Sequence, residues 1–474
     1  MINWLEKAQA YKDAFLNDLW AILEIPSIRN DDDKTDAAPF GTEVKRALDC
    51  FLGFAERDGF LTTNYNNFVG KITYGEGKKV LGVFGHLDVV PVGNGWQSPP
   101  FQPTLREGNI YARGIGDDKG PLLAAYYGLK IVKDLGLPLK NEVQLLLGTD
   151  EENAWQCMDY YKAVEKMPDI AFSPDADFPV INGEKGISNF RLKFKGGGKG
   201  MWEVGEFHAG TRPNMVPDKA TASIRGKELT RLSEAFSAFI SQNEGIDGHF
   251  HYEDDTLHLE CTGKASHGMQ PELGFNAGNY LASFLAEYDL GQRARSYFQF
   301  VKTYLHKEHD GKSFGIDTTH KIMGEVTVNT GILHYDENGA EAILNIRYPL
   351  GQTHQAIYEA LLSLKHPLGL QEVVVLSIED PHYVPAEDPL VKTLLAVYER
   401  QTGNKGTEKS IGGGTYGKLV PRGVAYGAHF PGRDDSMHQK DEHMPLEDLI
   451  LSIAIYAEAI YELAKNPIED FTSC

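Results

Sequence analysis

Cysteine is scarce in this sequence: four in 474 residues, Cys50, Cys157, Cys261 and Cys474, far apart and with no C-x-x-C pair. That excludes a disulfide framework and a thiolate zinc site, and it points to a reducing cytoplasm. Positive charge is also short, with 46 Lys and Arg against 67 Asp and Glu. The resulting net charge of -21 repels nucleic acid and anionic membrane. Nowhere do the roughly 18 apolar residues of a membrane-spanning helix run together. The opening stretch "MINWLEKAQAYKDAFLNDLWAILEIPSI" has acidic residues early and no small-residue cleavage site behind an apolar core, so it is no secretory signal. Its Trp4, Leu5, Tyr11, Phe15, Leu16, Leu19 and Leu23 recur at helical spacing and predict one amphipathic helix. Low-complexity segments and short-period repeats are missing too.

What is present is the composition of a folded protein, 42% hydrophobic and 24% charged, in a chain long enough for two or three domains. From about 70 to 180, strand and helix patterns alternate: "KKVLGVFGHLD", "KGPLLAAYYGLKIVKDLG", "NEVQLLLGTDEE", "WQCMDYYKAVEKM" and "DIAFSPDADFP". The alternation predicts an α/β fold, a parallel or mixed sheet with helices on its faces and a site at the carboxyl ends of the strands. After "EKGISNFRLKFKGGGKG" the strands shorten and alternate in polarity, as in "KATASIRG", "DTLHLECTGKASH", "GEVTVNTGILHY" and "EAILNIRYPL". This predicts an α+β insertion on antiparallel strands. A long apolar helix, "PLEDLILSIAIYAEAIYELAK", then completes the first domain. The expected organisation is a discontinuous catalytic domain, residues 1–184 and 380–474, with a large inserted lid over residues 185–379.

Chemistry-bearing residues gather at the predicted strand ends. In "GHLDVVPVGNGW", His86 and Asp88 lie two apart, so both emerge on one side of the strand, as suits a metal-binding imidazole oriented by a carboxylate. "RGIGDDKG" delivers Asp117 and Asp118 into a helix start, where an aspartate either caps the helix or binds a cation. The glycines do not make a phosphate loop, because no G-K-[ST] follows and the acids would repel phosphate. In "LLLGTDEENAW", Glu151 and Glu152 leave the strand in different directions. One can bind metal while the other faces water, unless both simply complement the dipole of the next helix. Asp175 and Asp177 compete in "SPDADFP", and His429, His438 and His443 in "HFPGRDDSMHQKDEH". Oxygen-rich ligation with one imidazole per ion suits two divalent cations joined by a carboxylate, with a free glutamate as base: the equipment of amide hydrolysis.

In order and spacing, "GHLDVVP", "RGIGDDKG", "GTDEE", "SPDADFP…EKG" and "PG…HQKDE" resemble the motifs of the co-catalytic di-zinc metallopeptidases that include aminoacylase, carnosinase and glutamate carboxypeptidases. Through "GTRPNMVPDKA", "GKASHGMQPELGFNA", "LNIRYP" and "IGGGTYGK" the sequence is most similar to the bacterial peptidase V type of dipeptidase. The resemblance implies two divalent metal ions, zinc first, with manganese or cobalt also accepted. His86, Asp117 and Asp175 would hold one ion, and Asp117, Glu152 and His438 the other, with Asp117 bridging. Asp88 would orient His86, and Glu151 would act as general base. A non-proline cis peptide is expected between Asp117 and Asp118. His267 and Asn214 would donate hydrogen bonds to the developing oxyanion. Arg347, with the turn that carries Gly414 and Thr415, would hold a terminal carboxylate. Gly116 and Asp150 depart from the usual pattern, Gly116 by favouring a looser loop and Asp150 by adding negative charge. The expected activity is hydrolysis of short peptides, chiefly dipeptides with a free N-terminus, by a functional monomer, a homodimer being the alternative. A deacylase of N-acyl amino acids or a succinylated diamine would use the same metals, and a non-catalytic metal-binding protein would not need Glu151.

Overall fold

The computed structural model describes residues 2–364 and 369–470. By compactness the chain divides into one unit of Met1–Gly183, Tyr383–Ser410 and Gly414–Cys474, and another of Glu184–His382 with Ile411–Gly413. The cuts after Gly183 and His382 lie a few residues from the expected ones, and the short return through Ile411–Gly413 has no counterpart in the sequence pattern.

In the first unit, strands of a mixed sheet run in the order Leu61–Tyr65, Val69–Tyr74, Glu142–Gly148, Val80–His86, Ile170–Ser173, Gly423–Ala425 and Val180–Glu184. Val80–His86 is central and parallel to both neighbours, Glu142–Gly148 and Ile170–Ser173. Both faces of this centre are covered, which is why its strands are continuous apolar runs. Leu81, Val83, Leu145, Leu147 and Phe172 enter one core, whereas Phe84, Leu146 and Ala171 enter a smaller one on the opposite face. The helices Lys119–Asp134 and Leu446–Ala464 pack against each other in the larger core. Gly128 permits their close approach, since a Cβ there would stand 2.8 Å from the backbone nitrogen of Ala457.

The expected single N-terminal helix is two, Trp4–Ala10 and Lys12–Leu23. Tyr11 interrupts it at φ -96°, ψ 0°, with its hydroxyl donating to Asp134 at 2.6 Å and its ring edge-on to Tyr127. Tertiary bonding outweighs helical continuity at that position.

The second unit is built on a sheet ordered Asp247–Glu253, Thr256–Thr262, Lys219–Gly226, Trp202–Ala209, Thr327–Asp336, Ala340–Tyr348, Gly186–Phe194 and Leu370–Glu379. Every neighbouring pair is antiparallel, as the polar alternation predicts. Helices Leu229–Gln242, Ala277–Leu285, Gln292–Phe300 and His354–Ser363 share its apolar core. Among the described residues, no helix is long and apolar enough to cross a membrane. Cys50, Cys157 and Cys261 are free thiols, and Cys474 lies outside the described residues.

Candidate metal centre

His86 is the last residue of the central strand, and its side chain is completely buried. Its Nε2 lies 2.8 Å from Asp117 Oδ1 and 3.6 Å from Asp175 Oδ2. Yet neither His86 Nε2 nor Asp117 Oδ1 makes a hydrogen bond, although both atoms are buried. Two buried polar atoms so close together and without a hydrogen bond call for a partner they could share, as ligands around a cation do. The other oxygen of Asp117, Oδ2, is 2.8 Å from His438 Nε2, which is in turn 2.9 Å from Glu152 Oε1. Asp117 thus stands between two imidazoles, one per carboxylate oxygen. Donor atoms from His86, Asp117 and Glu152, and from His86, Glu151 and Asp175, lie within 4.8 Å of one another in each set. These residues fit two cations.

The local folding of each contributor is specific. The peptide between Asp117 and Asp118 is cis, as expected. Asp118 occupies the cap position of the helix Lys119–Asp134, but its carboxylate makes no capping bond and instead accepts the backbone amide of His86 at 3.1 Å. A Cβ on Gly85 would come within 2.5 Å of that carboxylate, so only glycine lets strand and loop meet there. Glu151 and Glu152 do not open the next helix. Trp155 stands at the cap position, and the carboxylate of Asp150 accepts the amide of Gln156 at 3.0 Å and pairs with Arg29 at 2.7 Å. The extra negative charge expected from Asp150 is therefore neutralised.

Asp88 holds His86 in a way the sequence did not specify. Its main-chain oxygen is 2.9 Å from His86 Nδ1, while its carboxylate accepts the amides of Glu151 at 3.1 Å and Glu152 at 3.0 Å. Of the competing candidates, Asp177 is engaged elsewhere, 3.6 Å from His429 and 3.7 Å from Lys409. His443 stacks on Tyr111, leaving His438 as the late histidine at the cluster.

Glu442, which the sequence reading passed over, holds the glycine-rich loop. Buried completely, it pairs with Arg113 at 2.7 Å and accepts the amides of Gly114, Gly116 and Asp117. Gly116 is therefore bonded in place rather than loose. The available signal was its position within "HQKDEH", five residues beyond Met437, but nothing in a linear pattern pairs it with Arg113.

The electrostatics follow from crowding. Burial, reinforced by the charges of Glu152 and Asp117, holds the Glu151 carboxyl well above the carboxylate range, and burial with Asp117 does the same to Asp175. Glu152 is pushed up to about 7 by burial and then by Asp117. Burial opposes charge on both imidazoles, but the carboxylates outweigh it and raise His86 and His438. Asp117 is kept ionised because the two imidazoles overcome its own burial. So much negative potential in a dry site calls for positive charge.

Of the remaining sequence-predicted residues, Asn214, His267 and Arg347 belong to the second unit. The main-chain oxygen of Asn214 accepts the amide of Gly268, next to His267, at 2.7 Å. Asn329 fastens the same loop, donating to the main-chain oxygens of Pro213 at 2.6 Å and Met215 at 3.0 Å. Arg347 is buried, donating to Asn345 at 3.1 Å and to the main-chain oxygen of Gly412. Desolvation pulls its guanidinium down to about 10. In the first unit, Thr415 follows Gly414 and caps the turn Tyr416–Leu419 by accepting the amide of Gly417 at 3.0 Å.

Comparison with known proteins bears on this geometry. A "Beta-Ala-Xaa dipeptidase" of Lactobacillus delbrueckii subsp. lactis is 42% identical over 468 residues, 98% of this chain and 99% of that protein. The fold is similar to that of human carnosine dipeptidase 1, with a TM-score of 0.58 at 14% identity over 98% of each chain. It is also similar to an M20 family metallo-carboxypeptidase from Sulfolobus solfataricus, with a TM-score of 0.56 at 19% identity over 94% of this chain and 98% of that one. A model of the peptidase family M20/M25/M40 matches residues 82–462, a span that contains His86, Asp117, Glu151, Glu152, Asp175 and His438. The chain therefore belongs to peptidase family M20/M25/M40.

Proposed function

We propose that this metallopeptidase hydrolyses the peptide bond of short peptides, chiefly dipeptides with a free N-terminus, in the cytoplasm and as a monomer. The observation that carries the reading is the position of Asp117 between His86 and His438, each 2.8 Å from a different carboxylate oxygen. His86, Asp117 and Asp175 would hold one divalent cation, and Asp117, Glu152 and His438 the other, zinc being favoured over manganese or cobalt. Bound there, the cations supply Lewis acidity, lowering the pKa of a water and polarising the scissile carbonyl. Glu151 would take the proton from the attacking water and deliver it to the leaving amine. Burial raises its carboxyl, which favours delivery of the proton to the amine. Asp88 would position the base through the amide of Glu151.

As the family resemblance implies, His267 and Asn214 would donate to the oxyanion, while Arg347 and the Gly414–Thr415 turn would hold the terminal carboxylate. The 42% identity to a Beta-Ala-Xaa dipeptidase over nearly the whole chain supports the substrate class. Scarce cysteine and strong acidity support the compartment. The test is hydrolysis of dipeptides with free N-termini, tripeptides and N-acyl amino acids by metal-stripped protein refilled with zinc, manganese or cobalt. Cleavage confined to dipeptides is expected. Cleavage of N-acyl substrates alone would make the enzyme a deacylase, and none with any metal would leave a non-catalytic metal-binding protein.

A further inference from the structure

The second unit carries a group of metal-ligating side chains that peptide hydrolysis does not use. Its edge hairpin pairs Asp247–Glu253 with Thr256–Thr262, placing His251 directly opposite His258 and Glu253 opposite Thr256. Leu257, Leu259 and Cys261 point into the core, so His258, alternating with them, emerges on the open face of the sheet. His251 and Glu253 share that face and are exposed to solvent. The two imidazole rings stack with centroids 4.8 Å apart and planes 8° from parallel. Glu253 Oε2 lies 3.7 Å from His258 Nε2, and one donor atom from each of the three residues lies within 4.8 Å of the others.

We propose that His251, His258 and Glu253 form a surface site for one divalent transition-metal ion, separate from the centre at Asp117. Imidazole donors favour zinc, nickel or copper over magnesium or calcium. A tetrahedral zinc site with ordinary bond lengths separates its ligand atoms by about 3.3 Å, so tilting the rings out of their stack to draw the donor atoms together would close the set around an ion. Cross-strand pairing fixes the two imidazoles on adjacent backbones, leaving little ordering to be done on binding. Three protein donors leave a position for water or an outside ligand. The next pair along the hairpin, His249 and Glu260, are 3.9 Å apart, but Glu260 is engaged by Lys219 at 2.8 Å and stays outside the set.

Equilibrium dialysis of the full chain against Zn²⁺ tests the assignment, comparing the native protein with His251→Ala and His258→Ala. Both variants are expected to bind one ion per chain fewer, with peptide hydrolysis unchanged. The variants keep every residue of the other centre, so failure of the proposed hydrolytic site would change all totals alike and leave the difference intact. Glu253→Gln is expected to weaken that one ion at least tenfold without touching an imidazole. Equal zinc content in the native protein and both histidine variants would overturn the site.

Discussion

The main-chain oxygen of Asp88 lies 2.9 Å from Nδ1 of His86, closer than its carboxylate oxygen at 3.5 Å. The carboxylate is directed at the amides of Glu151 and Glu152, so one residue orients an imidazole with its backbone and two acidic side chains with its carboxylate. Asp88→Asn keeps the carbonyl but replaces one acceptor oxygen with a donor facing an N–H. Activity is expected to fall about 10- to 100-fold, the usual effect of losing a supporting partner, with metal content retained. Parallel kcat/KM and elemental analysis check this; full activity would show that the two amide bonds do not matter.

Glu151→Gln removes the proposed base while preserving shape. Turnover should drop by about 10²- to 10⁴-fold. The proposed ligands His86, Asp117, Glu152, Asp175 and His438 are untouched, so metal content should stay the same. Measurable native-like turnover at full metal loading would defeat the role given to Glu151.

His267→Ala separates binding from chemistry. A lost oxyanion donor should reduce kcat by about 10²- to 10³-fold while KM changes little. Folding should be unaffected, because the neighbouring loops are tied by Gly268 to Asn214 and by Asn329 to Pro213 and Met215. An unchanged kcat would remove His267 from the proposed mechanism.

Glu442 tests the glycine-rich loop. Replacing it with Ala leaves Arg113 buried without its 2.7 Å partner and frees the amides that fix Gly114 and Gly116. Breaking a buried pair in this way costs about 3–5 kcal/mol. Urea unfolding should show a loss of that size, and cation binding should weaken as Asp117 loses its backbone anchor. A stability within about 0.5 kcal/mol of the native protein, the range of ordinary surface substitutions, would contradict this account.

Glu442 and the strand-end residues differ in how far a linear pattern can place them. His86, Glu151, Glu152 and Asp175 follow apolar runs that read as strands of a parallel or mixed sheet, so their place at the carboxyl ends of those strands is legible in the alternating pattern. Asp150 and Arg29, or Glu442 and Arg113, meet through loops whose paths depend on packing across more than a hundred residues. The break at Tyr11 was hidden for the same reason: helical spacing continues through it, and only Asp134 and Tyr127 explain the turn. Asp118 looked like a cap because cap positions favour aspartate; its actual bond, to the amide of His86, is a tertiary one.

The same crowding of acids gives cation binding a defined pH dependence. Without a cation, Glu152 is raised to about 7 by burial and by Asp117, so it is ionised above that pH and protonated below it. His86 and His438 are raised as well, so each carries a proton that must leave before its Nε2 can bind metal. Cation affinity should therefore increase with pH throughout the neutral range, because loading displaces protons. Below about 7 the slope should steepen by about one further tenfold change per pH unit, as Glu152 contributes its own proton. Competition against a chelator at pH 6, 7 and 8 measures both slopes. In Glu152→Gln the overall affinity should be lower, yet the extra steepening below 7 should disappear; if it persists, another group is the one titrating.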